Sequence, residues 1–241
     1  MLACTSMNHL HLYLVGIVSA ACASQTPIAK SQPPSPTEPP PQASAPAPVA
    51  APTSPSIEEL RGLCKLDNPD PCVQLCDRSV ASGCYIAGLS FQKRPPEKRD
   101  DARSLEIYQR GCTLGSMKSC GNLGLMYEKG RGTPPDLSRA RELYEKVCDA
   151  GIPVHCRNVG RLCEGSPGVA ADPDCSTKAY ARALQLATDE CTSGKFEGCA
   201  VAGFMYRDGK GTPVNETEAR ALLSKACNGG YKWACAADPF P

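Results

Sequence analysis

Two kinds of side chain in this sequence could do chemistry. The first is a serine and a lysine three apart, Ser90 and Lys93 in Ser90-Phe91-Gln92-Lys93. On a helix such a pair shares one face, so the amine could draw the proton from the hydroxyl and make it a nucleophile. The second is the cysteines, 16 in 241 residues. As thiolates they could attack or bind metal; as disulfides they would only hold shape. Histidine is scarce: His9, His11 and His155. A His-rich metal site is therefore excluded, no metal is expected, and no cofactor motif is present. Gly130-Arg131-Gly132 and Gly209-Lys210-Gly211 look like phosphate loops but match no P-loop pattern and follow no strand, so they read as turns. Asn215-Glu216-Thr217 fits a glycosylation sequon and reads as a chance match in a bacterial export context. The charges, 26 Lys+Arg against 25 Asp+Glu, leave a net of +1 and give no electrostatic footprint for nucleic acid. Aromatic residues are only 5%, from which a core without large rings is expected.

The elements that must position these residues lie beyond a leader. Residues 1–21 hold no charged side chain, and residues 10–21 are apolar, the length of a signal-peptide core rather than of a membrane span. Ser19-Ala20-Ala21-Cys22 resembles a lipoprotein signal, which would make Cys22 a lipidated first residue and tether the chain to a membrane; cleavage after Ala23 would instead release it. Met7 is a second candidate start. Residues 22–56 are rich in Pro, Ala, Ser and Thr, cannot bury enough apolar surface to fold, and read as an extended spacer. The remainder, residues 57–241, is read as one folded domain.

That domain repeats. C-x7-C occurs six times, and the first cysteines of the later pairs stand at Cys76, Cys112, Cys148, Cys191 and Cys227, a period of 36 broken once by 43 across residues 148–190. A fixed period of this size marks a stacked array rather than one compact core. Each unit reads as two helices: residues 116–129, a glycine-proline breaker, then residues 137–147 with Asp136 as N-cap. Gly88, Gly124, Gly160 and Gly203 follow the second cysteine of a pair by four residues, where close helix approach is expected. Gly115, Gly151, Gly194 and Gly230 stand where the second helix should end.

The segments Gly124-Leu125-Met126-Tyr127-Glu128-Lys129-Gly130-Arg131-Gly132 and Gly203-Phe204-Met205-Tyr206-Arg207-Asp208-Gly209-Lys210-Gly211 resemble Sel1-like repeats, relatives of the tetratricopeptide repeat, over about residues 60–237. The recurring C-x7-C resembles the Helicobacter cysteine-rich protein family. The resemblance implies an all-α, right-handed α/α solenoid of about four units, with an extra stapled segment at residues 57–83 and a half-unit at its C-terminal end. It also implies disulfides joining the end of one unit to the start of the next: Cys64–Cys72, Cys76–Cys84, Cys112–Cys120, Cys148–Cys156, Cys191–Cys199 and Cys227–Cys235. Cys163 and Cys175 remain, and are expected to pair and tie an enlarged loop at residues 164–174 to the first helix. Cys4 and Cys22 lie in the leader. So many cysteines suit an oxidising compartment, hence export to the periplasm, the cell surface or the medium.

Three readings follow, the last of them a purely structural envelope spacer without a partner. The first is a scaffold whose first helices line a concave groove for a protein or peptide at the cell envelope, with Asn122, Met126, Arg157, Arg161 and Met205 as candidate groove side chains. The second comes from the resembled cysteine-rich family, whose members have been described as penicillin-binding with slow β-lactamase activity; it would use Ser90 and Lys93. No S-D-N or K-T-G companion accompanies that pair, and both positions fit the repeat pattern without catalysis.

Overall fold

The computed structural model describes residues 54–166 and 170–236. The signal expectation, residues 22–53 of the expected spacer, Cys4 and Cys22, and His9 and His11 lie outside the described residues. Among the described residues, eleven α-helices follow in order: α1 Ile57–Leu63, α2 Asp70–Asp77, α3 Ala81–Gln92, α4 Asp101–Thr113, α5 Met117–Lys129, α6 Leu137–Asp149, α7 Pro153–Cys163, α8 Pro173–Thr192, α9 Phe196–Asp208, α10 Glu216–Asn228 and α11 Lys232–Cys235. Among the described residues there is no β-sheet, and an isolated bridge joins Lys65 to Asn68. The chain is an all-α, right-handed α/α solenoid, and its units are α3–α4, α5–α6, α7–α8 and α9–α10.

Local chemistry sets the helix boundaries. Asp100, Asp136, Asp172 and Asn215 each accept a hydrogen bond from the backbone amide three residues on, capping the second helix of each unit. Each second helix stops before Gly115, Gly151, Gly194 or Gly230, at φ between +85° and +87°, a backbone state that glycine adopts without strain. The α3–α4 loop lacks the two glycines that the α5–α6 loop carries at Gly130 and Gly132 and the α9–α10 loop at Gly209 and Gly211, and turns through a short 3₁₀ segment, Pro96–Lys98.

Between the two helices of a unit, a glycine on the first faces a large side chain twenty residues later on the second. A Cβ on Gly88, Gly124, Gly160 or Gly203 would lie 2.6–2.8 Å from Tyr108, Tyr144, Tyr180 or Leu223 respectively. Those tyrosines are 0%, 1% and 4% exposed. The expectation of a core without large rings is therefore corrected: few aromatics are present, but three of them fill the same slot in successive units. Opposite, Ser104, Ala140, Ala183 and Ala219 are fully buried, and Ser104 donates to the Gly88 carbonyl at 2.8 Å.

All seven cysteine pairs are disulfide-bonded, with Cα–Cα separations of 4.5–5.9 Å. Cys112–Cys120, Cys148–Cys156 and Cys191–Cys199 join the last turn of a unit's second helix to the first helix of the next, Cys76–Cys84 and Cys227–Cys235 tie α2 and α11 to the two ends of the array, and Cys163–Cys175 lies within a unit.

The loop expected to be enlarged is not. From Tyr127 to Asp136, from Cys163 to Asp172 and from Tyr206 to Asn215 the chain runs nine residues, and in each case the later amide donates to the earlier carbonyl at 2.7–2.9 Å. The seven extra residues of the third unit instead lengthen α8 to 20 residues, against 13 in α4, α6 and α10. Seven residues are nearly two whole turns, so the buried face stays in phase along the longer helix. Cys163 and Cys175 hold the slots of Tyr127 and Arg139, where the second unit has a guanidinium over a ring at 5.5 Å. The disulfide thus replaces a cation–π contact at the same point.

Candidate ligand groove

The first helices of successive units, α3, α5, α7 and α9, contribute to a groove of about 630 Å³. Its floor is apolar, from Tyr85, Met117, Leu125, Ile152 and Val154. Asn122 and Asn158 line it, each two residues after the second cysteine of its pair and so one repeat apart in the array. Asn122 donates one amide hydrogen to the Lys118 carbonyl at 3.1 Å and keeps its remaining donor and acceptor capacity. Asn158 is half-buried. Both can offer a donor and an acceptor to a polypeptide backbone. Because α5 and α7 touch through Gly121 and His155, the two amides are separated by about one helix spacing, roughly 8–10 Å, or about three residues of extended chain.

His155 forms part of the wall. Its ring packs against Tyr144, centroids 5.5 Å apart, and over Gly121, where no side chain would fit. Burial pushes its imidazole down to about 4, so it is neutral at pH 7. Its Nδ1 is buried without a hydrogen-bond partner. Behind it, the Tyr144 hydroxyl donates to Glu128 at 3.1 Å, and burial, then Glu128, drives that phenol's pKa up. Burial works against ionisation of Glu128, but Lys129 at 2.7 Å and Arg161 at 2.6 Å outweigh it and hold the carboxyl below its usual range.

The expected groove residues divide. Asn122 lines the groove. Met126 and Met205 do not: both are 0% exposed and belong to the core, because a solenoid helix packs on its own partner and on both neighbours. Arg157 and Arg161 are ion-paired across repeats, with Asp208 at 3.4 Å and Glu128 at 2.6 Å, so they tie units together. Asn158 and Tyr85, not singled out from sequence, do line the groove. Asn158 had a visible signal, standing 36 residues after Asn122. Ser90 lies away from the groove, 3% exposed, with its hydroxyl donating to the Ile86 carbonyl of its own helix at 3.0 Å, whereas Lys93 is exposed beyond the end of α3. A serine whose proton is given to the backbone is not poised to attack.

The profile of the Sel1 repeat matches residues 81–116, 118–152 and 197–231. The chain carries Sel1 repeats. The stretch between the second and third matches contains the lengthened α8, yet its α7–α8 pair repeats the glycine–tyrosine contact and the N-cap of the matched units. A Sel1 repeat protein from Oxalobacter formigenes is similar in fold, with 20% identity over 74% of this chain and 72% of that one and a TM-score of 0.53. A protective antigen of uropathogenic Escherichia coli strains shows 21% identity over 70% of this chain and 35% of that one, TM-score 0.49, so the chain spans about a third of that protein's length. Helicobacter pylori cysteine rich protein B shows 21% identity over 76% of this chain and 96% of that one, TM-score 0.29. No curated protein matches the chain.

Proposed function

We propose that this Sel1-repeat chain is an exported scaffold that binds a segment of another protein, or a peptide, in the groove of its first helices, and that it works at the cell envelope. Sel1-repeat proteins are generally protein-interaction scaffolds. The observation that carries the reading is the pair Asn122 and Asn158, one repeat apart above an apolar floor. Such an arrangement suits main-chain recognition of an extended segment, with side chains seated on the floor between the amides. Fourteen cysteines in seven bridges suit an oxidising, exported setting. Among the described residues no helix is long and apolar enough to cross a membrane. Attachment would fall to lipidated Cys22, with residues 22–56 as the spacer. Incorporation of labelled palmitate that is lost in Cys22→Ala would support the anchor; equal labelling of both would remove it.

The binding reading is tested by selecting a random peptide library on the purified domain and on Asn122→Ala/Asn158→Ala. Peptides enriched on the parent and lost on the double variant are the expected result. No enrichment, or peptides indifferent to the substitutions, would remove it.

A further inference from the structure

The lengthened α8 changes what stands at one end of the groove. In every unit the residue before the first cysteine of the pair lies on the second helix. Leu75, Val147 and Ala226 at this place are at most 1% exposed, and Gly111 is buried. In α8 the residue is Glu190, whose side chain is 22% exposed and lines the groove.

The helix register explains the difference. Gly124 faces Tyr144 and Gly160 faces Tyr180, so the loop ends of α5–α6 and α7–α8 pair alike. Val147 comes three residues after Tyr144 and still has α5 beside it. Glu190 comes ten residues after Tyr180, but α7 begins only seven residues before Gly160. The last turns of α8 therefore overshoot α7 and open a side that is covered in the other units. The overshoot also displaces α9 by about 10 Å along the helix direction. Its first turn brings Glu197 to the same groove.

The result is a groove with a charged polarity. Lys118, Val154 and Glu197 hold the same place, two residues before the second cysteine, on α5, α7 and α9. Lys118 lies at one end over the Tyr85 ring at 5.4 Å. Val154 and the neutral His155 occupy the middle. Glu190 and Glu197 stand at the other, where, among the described residues, the cation within ion-pair distance of Glu190 is the exposed Lys195 at 3.2 Å.

Resting on the groove-binding reading above, we propose that this acidic end wall takes the free amino end of an extended peptide. The peptide would run from its ammonium group at Glu190 and Glu197, past Asn158 and Asn122, toward Lys118. A wall that ends the groove favours a chain terminus over a passing segment, and two carboxylates complement an ammonium.

The probe is the hexapeptide Ala-Leu-Ser-Leu-Ser-Ala with fluorescein at its carboxyl end, titrated by anisotropy. Its N-acetylated twin and an N-acetylated form beginning with lysine complete the set. The free peptide should bind about tenfold more tightly than the acetylated one, the size expected of a charge-assisted contact. Glu190→Gln/Glu197→Gln should bring that ratio close to one, chiefly by weakening the free peptide. Equal binding of the free and acetylated peptides by the parent chain would overturn the amino-end assignment while leaving the groove reading in place. Tight binding of the acetylated lysine peptide would also overturn it, because the wall would then be reading a side-chain cation. Failure of all three peptides to bind would contradict the groove reading, and the assignment with it.

Discussion

Gly124→Ala tests the packing argument that holds each unit together. The new Cβ would lie 2.7 Å from Cε1 and 3.0 Å from Cδ1 of Tyr144. That ring is 1% exposed, and its hydroxyl is fixed on Glu128, so it has little room to retreat. Overpacking of a tight core costs about 1–3 kcal/mol. Against this, replacing glycine by alanine inside a helix gains about 1 kcal/mol. The control is Gly62→Ala on α1, where nothing lies within 4 Å of the new Cβ and only the gain remains. The difference between the two variants therefore isolates the packing cost, about 1–3 kcal/mol against Gly124→Ala. Equilibrium urea unfolding under non-reducing conditions, with slopes compared as well as midpoints, measures it. If Gly124→Ala is as stable as Gly62→Ala, the close approach of the two helices does not govern the unit and the reasoning fails.

Four further outcomes follow from particular contacts. Removing the Cys163–Cys175 bridge as Cys163→Ala/Cys175→Ala should cost about 3 kcal/mol, and the pair found in the second unit, Cys163→Tyr/Cys175→Arg, should recover part of it; denaturation midpoints of both variants check this. Because burial pushes His155 from 6.5 to about 4, the unfolded chain binds its proton first; the stabilising effect is complete above pH 6.5 and is lost as pH falls toward 4, on the order of 3 kcal/mol in all. His155→Ser, the kind of small residue the equivalent positions carry (Gly83, Ser119, Gly198), should flatten stability against pH over that range. Glu128, held below its usual range, adds stability above about pH 4.5 that disappears as pH falls through its lowered value, so Glu128→Gln should be less stable than the parent at pH 7 and lose less on acidification. Ser90→Ala should leave any nitrocefin hydrolysis by the purified chain unchanged; loss of turnover in that variant would restore the nucleophile reading.

Much of the array is visible in the sequence because its determinants are local. Cysteines at a 36-residue period, glycines where φ must be positive and aspartates at N-caps each act within one turn of chain, so spacing alone locates them. Cysteine spacing cannot say where seven inserted residues go. The caps can: Asp100, Asp136 and Asp172 keep the period of 36, and only Asn215 is displaced, which assigns the insertion to the helix after Asp172. The groove was harder to read. Met126 and Met205 hold the same place in two repeats, but a helix packed on its partner and on both neighbours buries most of its circumference, and periodicity does not reveal which narrow strip stays open. Arg157 and Arg161 were ambiguous for a related reason, since their partners Asp208 and Glu128 lie 51 and 33 residues away. Glu190 could not be recognised before the α7–α8 register was known, because its slot is buried in every other unit.

The central claim is that ligands enter the groove of the first helices. Amide chemical-shift mapping, with a peptide obtained from the library selection added to the isotope-labelled domain, tests it most directly. The account predicts shifts concentrated at residues 117–125 and 152–158, extending to Glu190 and Glu197, with the outer faces of α4, α6 and α10 unmoved. Shifts confined to those second helices, or scattered evenly over the chain, would contradict it.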